Sequence, residues 1–393
     1  MEKHNSKYNY LTQRDYDIVA GPDWPSYADF QQHVNVPDFV YNEIDQMLAE
    51  PVPFDHPSFC VLPFYGWEYP LNTACCLLPK KHDLKKIQSD MLNGVRPDSC
   101  VKCWNLEDRG IKSDRQLKNE TVDFYIDKNL QELFDDCKHA RHKVIHYKID
   151  TNNTCNAACV TCNSGSSSTW GQLQKKNQQP YSRNWSISLN KIDQNIDYTV
   201  AKMILFRGGE PLLSKTNFSI LQKLILANNT ECFVSFQTNG SVTPTPDQEI
   251  ILQHFKNLNF SFSIDGIGPV FEYLRYPLKW SDLEKTIAWC QQRNIMVSAN
   301  YTLSNLNVLY HEKTQAWFAK HNIKYMVNPV YDPAWLRSSA LPGWVKDQID
   351  FDFINQPADD ENYAVFRSKI AEQDAWKNIS LRDYLPELAD LLG

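Results

Sequence analysis

The stretch VIHYKIDTNNTCNAACVTC, residues 144–162, decides how this chain is read. It opens as a strand-like run and passes directly into a loop that carries Cys155, Cys159 and Cys162 at C-x3-C-x2-C spacing. Three thiolates can hold three corners of a four-iron cluster, which leaves the fourth iron without a protein ligand. As a structural zinc site the same set is one ligand short, because zinc takes four and no histidine or fourth cysteine follows within the loop.

Beyond this stretch the chain alternates. Short apolar runs recur as MILF (203–206), FVSFQ (233–237), FSFSI (260–264), MVSANY (296–301) and YMVNPV (325–330). Helical patterns such as FSILQKLILA, DQEIILQHFKNL and SDLEKTIAWCQQ lie between them. The last of these opens with Ser281 and has Glu284 three residues on, which predicts a capping box. Counting 144–149, six β-then-α units predict parallel strands joined by crossover helices. In a barrel of such units the chemistry gathers at the C-terminal strand ends. The cysteine loop, Gly208-Gly209-Glu210-Pro211, Thr238-Asn239-Gly240 and Asp265-Gly266 each follow such a run directly.

Bulk properties set limits around this core. The chain has 393 residues, abundant aromatics and only 13 glycines, a globular composition. It has no apolar stretch near ~18 residues, and its N-terminus lacks the apolar centre of a signal peptide, so a soluble cytoplasmic protein is expected. A formal net charge of −7 argues against nucleic acid as the main partner. Eleven cysteines are many for a reducing compartment, where clustered thiols read as metal ligands or catalysts. Five of them, Cys60, Cys75, Cys76, Cys100 and Cys103, form an early block. Cys137, Cys232 and Cys290 stand alone and read as buried packing.

In content and order, these motifs over about 144–343 resemble the radical S-adenosylmethionine (radical SAM) superfamily. CNAACVTC resembles its cluster loop, and LFRGGEPLL its glycine-rich segment for the methionine amino group. SFSIDG followed by EYLRYP resembles its fourth-strand motif for ribose and carboxylate, while NYTLSNLN and VNPV fall at the fifth and sixth strands. The resemblance implies a partial (β/α)6 barrel that binds S-adenosylmethionine on an open [4Fe-4S] cluster held by Cys155, Cys159 and Cys162. The candidate cofactor contacts are Gly208, Gly209, Glu210, Pro211, Thr238, Asn239, Ser263, Asp265, Arg275 and Asn300. For Arg275 the bland alternative is a surface ion pair. Thr161 stands where the family usually places an aromatic residue, which removes a ring near the adenine but leaves the backbone groups.

The early block, FCVLPFYGWEYPLNTACC and then DSCVKCWNLEDRGIKSDR, resembles the auxiliary-cluster module called SPASM or, at half length, twitch. Its C-x2-CW-x2-E and S-x-R elements carry the match. The resemblance implies a second, closed [4Fe-4S] cluster on Cys60, Cys75, Cys100 and Cys103, with tetrahedral zinc as the alternative. Spacing does not separate Cys75 from Cys76; a free Cys76 is a candidate hydrogen-atom donor, against the plainer reading of a buried small residue. The expected organisation is an N-terminal segment of unassigned role (1–55), the auxiliary module (56–120), a helical linker (121–143), the core (144–343) and a helical tail (344–393). The resemblance implies a peptide or protein side chain as substrate, or else a small molecule or sugar. It also implies an electron donor such as flavodoxin or ferredoxin. A non-catalytic, zinc-stabilised binding protein is the reading from another class.

Overall fold

The computed structural model describes residues 56–108, 110, 112–122, 126, 128–353 and 361–393. The N-terminal segment 1–55 and parts of the expected linker and tail lie outside the described residues. Ser58–Gly393 makes one compact unit.

All six expected strands form. They are β2 (His146–Asp150), β3 (Met203–Arg207), β4 (Phe233–Thr238), β5 (Leu258–Ser263), β6 (Met296–Leu303) and β7 (Lys324–Pro329). A further strand, β1 (Gly66–Tyr69), comes from the early cysteine block and pairs in parallel with β2. It has only four residues, GWEY, and is followed directly by Pro70, too short a run to stand out by alternation. The sheet order is β1-β2-β3-β4-β5-β6-β7, parallel throughout. An order without reversal, with crossovers of the usual right hand, puts the helices on one face. That is the single winding of an open barrel, and all seven strand C-termini share one rim.

The two faces differ in chemistry. Toward the helices, Ile149, Phe206, Phe236 and Phe260 stand in register across four strands. Phe236 lies 5.1 Å from the Phe206 ring and 5.3 Å from Phe260, and Phe218 of the helix Lys215–Leu226 covers it at 5.9 Å. The other face is polar. Asn259 donates to Ser235 (3.0 Å), Ser298 to Asn259 (3.2 Å) and Asn300 to Ser261 (2.7 Å). Near the early strands it carries charge: Lys148 pairs with the buried Glu68 at 2.6 Å, and Arg207 with Asp150 at 3.2 Å. Period-2 alternation therefore sorts apolar residues to the helices and polar ones inward.

The helix expected to start at a Ser281 capping box runs Trp280–Gln291 instead, with Lys279 at its N-cap and no side-chain cap. The Trp280 N–H is satisfied by Glu272 Oε1 (3.1 Å), and its ring packs at 5.0 Å against Trp317. Tertiary packing draws the N-cap two positions earlier than the local signal, from Ser281 to Lys279.

Phe236→Ala should cost about 3–5 kcal/mol, since it empties a site closed by three other rings. Urea denaturation should show this as a lower midpoint with an unchanged slope.

Candidate functional site

The cysteine loop begins where β2 ends, and most of its backbone groups are held. Thr151 donates to Asn217 (2.9 Å) and shares a hydrogen bond with Ser214 (2.7 Å). The Cys155 carbonyl accepts from Thr169 (2.7 Å) and Ser168 (3.0 Å), and the Cys155 N–H donates back to the Ser168 hydroxyl (3.0 Å). Trp170 Nε1 donates to the Cys159 carbonyl (2.7 Å). On the other side Ala158 and Val160 donate to the carbonyls of Tyr276 (2.6 Å) and Leu274 (2.8 Å). The loop is thus clamped between the helix Ser168–Lys176 and the turn that carries Arg275.

Burial raises all three thiols: Cys155 is pushed up to about 12 and Cys162 to about 11, and Cys159 rises although Arg275 opposes the shift. Without a metal these are neutral thiols; coordination would deprotonate them outright.

The glycine-rich loop after β3 packs directly on the cysteine loop. Gly208 and Gly209 both have positive φ, +72° and +52°. A Cβ on Gly209 would fall 2.2 Å from the Thr154 carbonyl oxygen, and one on Gly208 would fall 2.5 Å from Asp150 Cβ. The close approach these glycines permit is first of all to the protein itself. The Glu210 N–H then donates to the Thr154 carbonyl (2.8 Å). Glu210 is fully buried; one carboxylate oxygen accepts from Thr238 (2.7 Å) and Leu212 N (3.1 Å), the other from Asn239 N (2.8 Å). Burial nonetheless raises its pKa. Glu210 and Thr238 are therefore braces between the ends of β3 and β4, and Pro211 is buried beside them.

Asn239 reaches the cysteine loop, donating to Asn156 (2.9 Å), with its amide nitrogen 3.9 Å from Cys155 Sγ. Arg275 does the same from the far side, 3.8 Å from Cys159 Sγ, and pairs with Asp265 at 2.7 Å. This pair is buried, not the surface contact of the bland reading. The second Asp265 oxygen accepts from Thr302 N (2.9 Å). Ser263 and Asn300 are register partners on β5 and β6, and the Asn300 amide is directed to Ser261. Asn156, Ser241 and Trp170 also belong to the site but were not expected. Their signal was adjacency to the motifs, which does not show which way a side chain points.

The early block makes a second site. Cys60, Cys75, Cys100 and Cys103 line one cavity, whose other walls include Leu78 and Arg115. Cys75 is the one of the adjacent pair that lines it. Cys76 lies among the charges of Lys148, Glu68 and Arg207. Its pKa is lowered, first by a hydrogen bond with Cys75 and then by Lys148, against the cost of burial. Behind the cavity the C-x2-CW-x2-E and S-x-R elements join. Arg115 forks onto both oxygens of Glu107 (2.9 and 2.7 Å), Ser113 donates to the same carboxylate (2.5 Å), and the guanidinium lies 5.1 Å from the Trp104 ring. A third nitrogen of Arg115 donates to the carbonyl of Phe59, next to Cys60 (2.8 Å). None of the eleven cysteines is in a disulfide. Among the described residues no three His, Cys, Asp or Glu side chains form a group set for a single metal ion. Four cysteines around one cavity are a donor set that a closed iron–sulfur cluster or tetrahedral zinc would take.

No protein-family model matches the chain, and none of the curated proteins does. Among solved structures it is similar to native anSMEcpe with bound AdoMet, with a TM-score of 0.36 and 17% identity over 47% of this chain and 53% of that one. It is also similar to Streptococcus suis SuiB bound to precursor peptide SuiA, with a TM-score of 0.39 and 12% identity over 78% and 66%. SuiB bound to S-adenosylmethionine gives 0.39 and 11% over 78% and 65%. The match spans about half the length of the first of these structures. Among the described residues no helix is long and apolar enough to cross a membrane. The chain is a parallel α/β protein whose three close cysteines, GGEP loop and SIDG loop meet at one rim of the sheet.

Two substitutions test this architecture. Glu210→Gln sets an amide against three donors and should cost about 2 kcal/mol or more in the metal-free chain. Arg115→Met takes two charge-assisted hydrogen bonds from the half-buried Glu107, leaving it Ser113 alone, and should cost about 1–3 kcal/mol. Chemical denaturation of each variant beside the parent measures both.

Proposed function

We propose that this chain is a radical SAM enzyme with two [4Fe-4S] clusters. The observation that carries this reading is the convergence of three cysteines with the GGEP and SIDG loops at the C-terminal rim of a parallel sheet. A cluster on Cys155, Cys159 and Cys162, with S-adenosylmethionine at its fourth iron, would supply reductive cleavage of the sulfonium to a 5′-deoxyadenosyl radical that abstracts hydrogen from a substrate C–H bond. The protein's part is to orient and to exclude water. Glu210 holds two strand ends in fixed relation, Asn239 and Arg275 set donors against two of the three sulfurs, and Asp265 fixes Arg275.

The cavity lined by Cys60, Cys75, Cys100 and Cys103 supports a closed auxiliary cluster, with all four corners supplied by protein. Its role would be electron transfer or support, fed by a donor such as flavodoxin or ferredoxin. The resemblance to auxiliary-module proteins favours a peptide or protein side chain as substrate. The inward polar face, from Lys148 and Arg207 to Asn259 and Asn300, supports a polar substrate. Cys76, outside the four-cysteine cavity and among the inward charges, is the candidate hydrogen-atom donor.

Anaerobic reconstitution tests the reading. Roughly eight irons per chain and reductant-dependent release of 5′-deoxyadenosine are expected. Tight zinc with no cleavage of S-adenosylmethionine would sink it. Cys159→Ala should abolish cleavage, whereas Cys103→Ala should keep part of it and lose iron. Cys76→Ser should release 5′-deoxyadenosine at the parent rate; a lowered rate would place Cys76 in cofactor handling and not in substrate quenching.

A further inference from the structure

The C-terminal part of the chain brings a charge to the cysteine loop that no sequence motif announces. Lys377 is the last residue of the helix Tyr363–Lys377 and is 4% exposed. Its ammonium donates to Gln373 Oε1 (2.9 Å), itself buried, and lies 4.8 Å from the Trp170 ring centroid and 6.0 Å from that of Tyr276. Both rings belong to residues that clamp the loop: Trp170 donates to the Cys159 carbonyl, and the Tyr276 carbonyl accepts from Ala158 N.

Burying an ammonium costs several kcal/mol unless an opposite charge answers it. Two aromatic faces and a neutral amide offset only part of that cost. The nearest carboxylate on the same helix, Asp374, is directed elsewhere: one oxygen accepts from Tyr273 (2.9 Å) and the other from Leu381 N (2.8 Å). Among the described residues no ion pair involves Lys377. Arg275, the other cation near Cys159, is already balanced by Asp265. Lys377 is thus a buried positive charge with no carboxylate paired to it among the described residues, set against the rings of the two residues that hold the Cys159 and Ala158 backbone. An anionic, thiolate-ligated centre at that position would supply the missing counter-charge.

We infer that Lys377 is the electrostatic partner of the cluster on Cys155, Cys159 and Cys162 and raises its reduction potential. This rests on the radical SAM reading. A fixed positive charge stabilises the reduced, more negative cluster over the oxidised one, and cluster potentials respond to such surroundings. The helix Tyr363–Lys377 is then part of the redox site, held by Asp374–Tyr273 to the helix before the Arg275 turn and by Lys377 to the Trp170 and Tyr276 rings.

The test is a reductive titration of the reconstituted full chain, followed by electron paramagnetic resonance. The signal that changes on adding S-adenosylmethionine identifies the three-cysteine cluster. Lys377→Met, which keeps length and apolar volume, should retain parent iron content and shift that signal's midpoint to lower potential. Lys377→Arg should stay at the parent midpoint. Lys377→Gln serves in place of Lys377→Met should the latter fail to fold, with the same downward shift expected. An unchanged midpoint in the neutral variant overturns the inference, as does an equal shift in Lys377→Arg, which would mark a packing effect. A parent chain that takes up no iron would overturn the cluster reading itself, an outcome distinct from either.

Discussion

The contact on which the site depends is the one between the Gly208-Gly209 turn and the start of the cysteine loop. Both glycines sit in left-handed conformations, and a side chain on Gly209 would overlap the Thr154 carbonyl. That approach lets the Glu210 N–H reach Thr154 and seats the Glu210 carboxylate where Thr238, Asn239 and Leu212 converge on it. Three successive strand ends are locked through one residue, two by its buried carboxylate and the third by its backbone N–H. A carboxylate with this many donors is over-determined, so the loops it joins move as a unit.

The two cysteine sets follow opposite logics. In the loop after β2 three thiols are offered from one side, and the groups facing them, Asn239 and Arg275, come from other strand ends. In the early block four thiols line a cavity backed by the Glu107–Arg115 fork, which joins the cavity's back wall to the segment carrying Cys60. Strand β1 links the two. It follows Cys60 and precedes Cys75, and it puts Glu68 against Lys148 and Arg207 at the root of the cysteine loop. The adjacent pair Cys75 and Cys76 is divided between the environments, one thiol to the cavity and the other toward these charges.

Much of this was legible in residue order. Six alternating apolar runs marked six strands, because a buried parallel strand needs a short β-branched or aromatic run whatever it packs against. The cysteine spacing and the GGEP and SIDG motifs fell at strand ends, as local turn chemistry requires. Strand β1 was not legible, since four residues carry too little periodicity, and the start of the helix Trp280–Gln291 was set by a distant glutamate, not by the nearby serine.

The sequence by itself determined the order of six of the seven strands, their parallel topology and the placing of the motifs at strand ends. These depend on local propensity, period and spacing. Only the tertiary structure decided the division of Cys75 from Cys76, the internal roles of Glu210 and Asp265, and the arrival of Lys377 at the Trp170 ring that clamps the cysteine loop. Each of these rests on contacts between residues well separated in the chain, 28 positions for Glu210 and Thr238 and 37 for Asp265 and Thr302, which no local pattern encodes; what selects them is which charges and apolar faces the fold buries together.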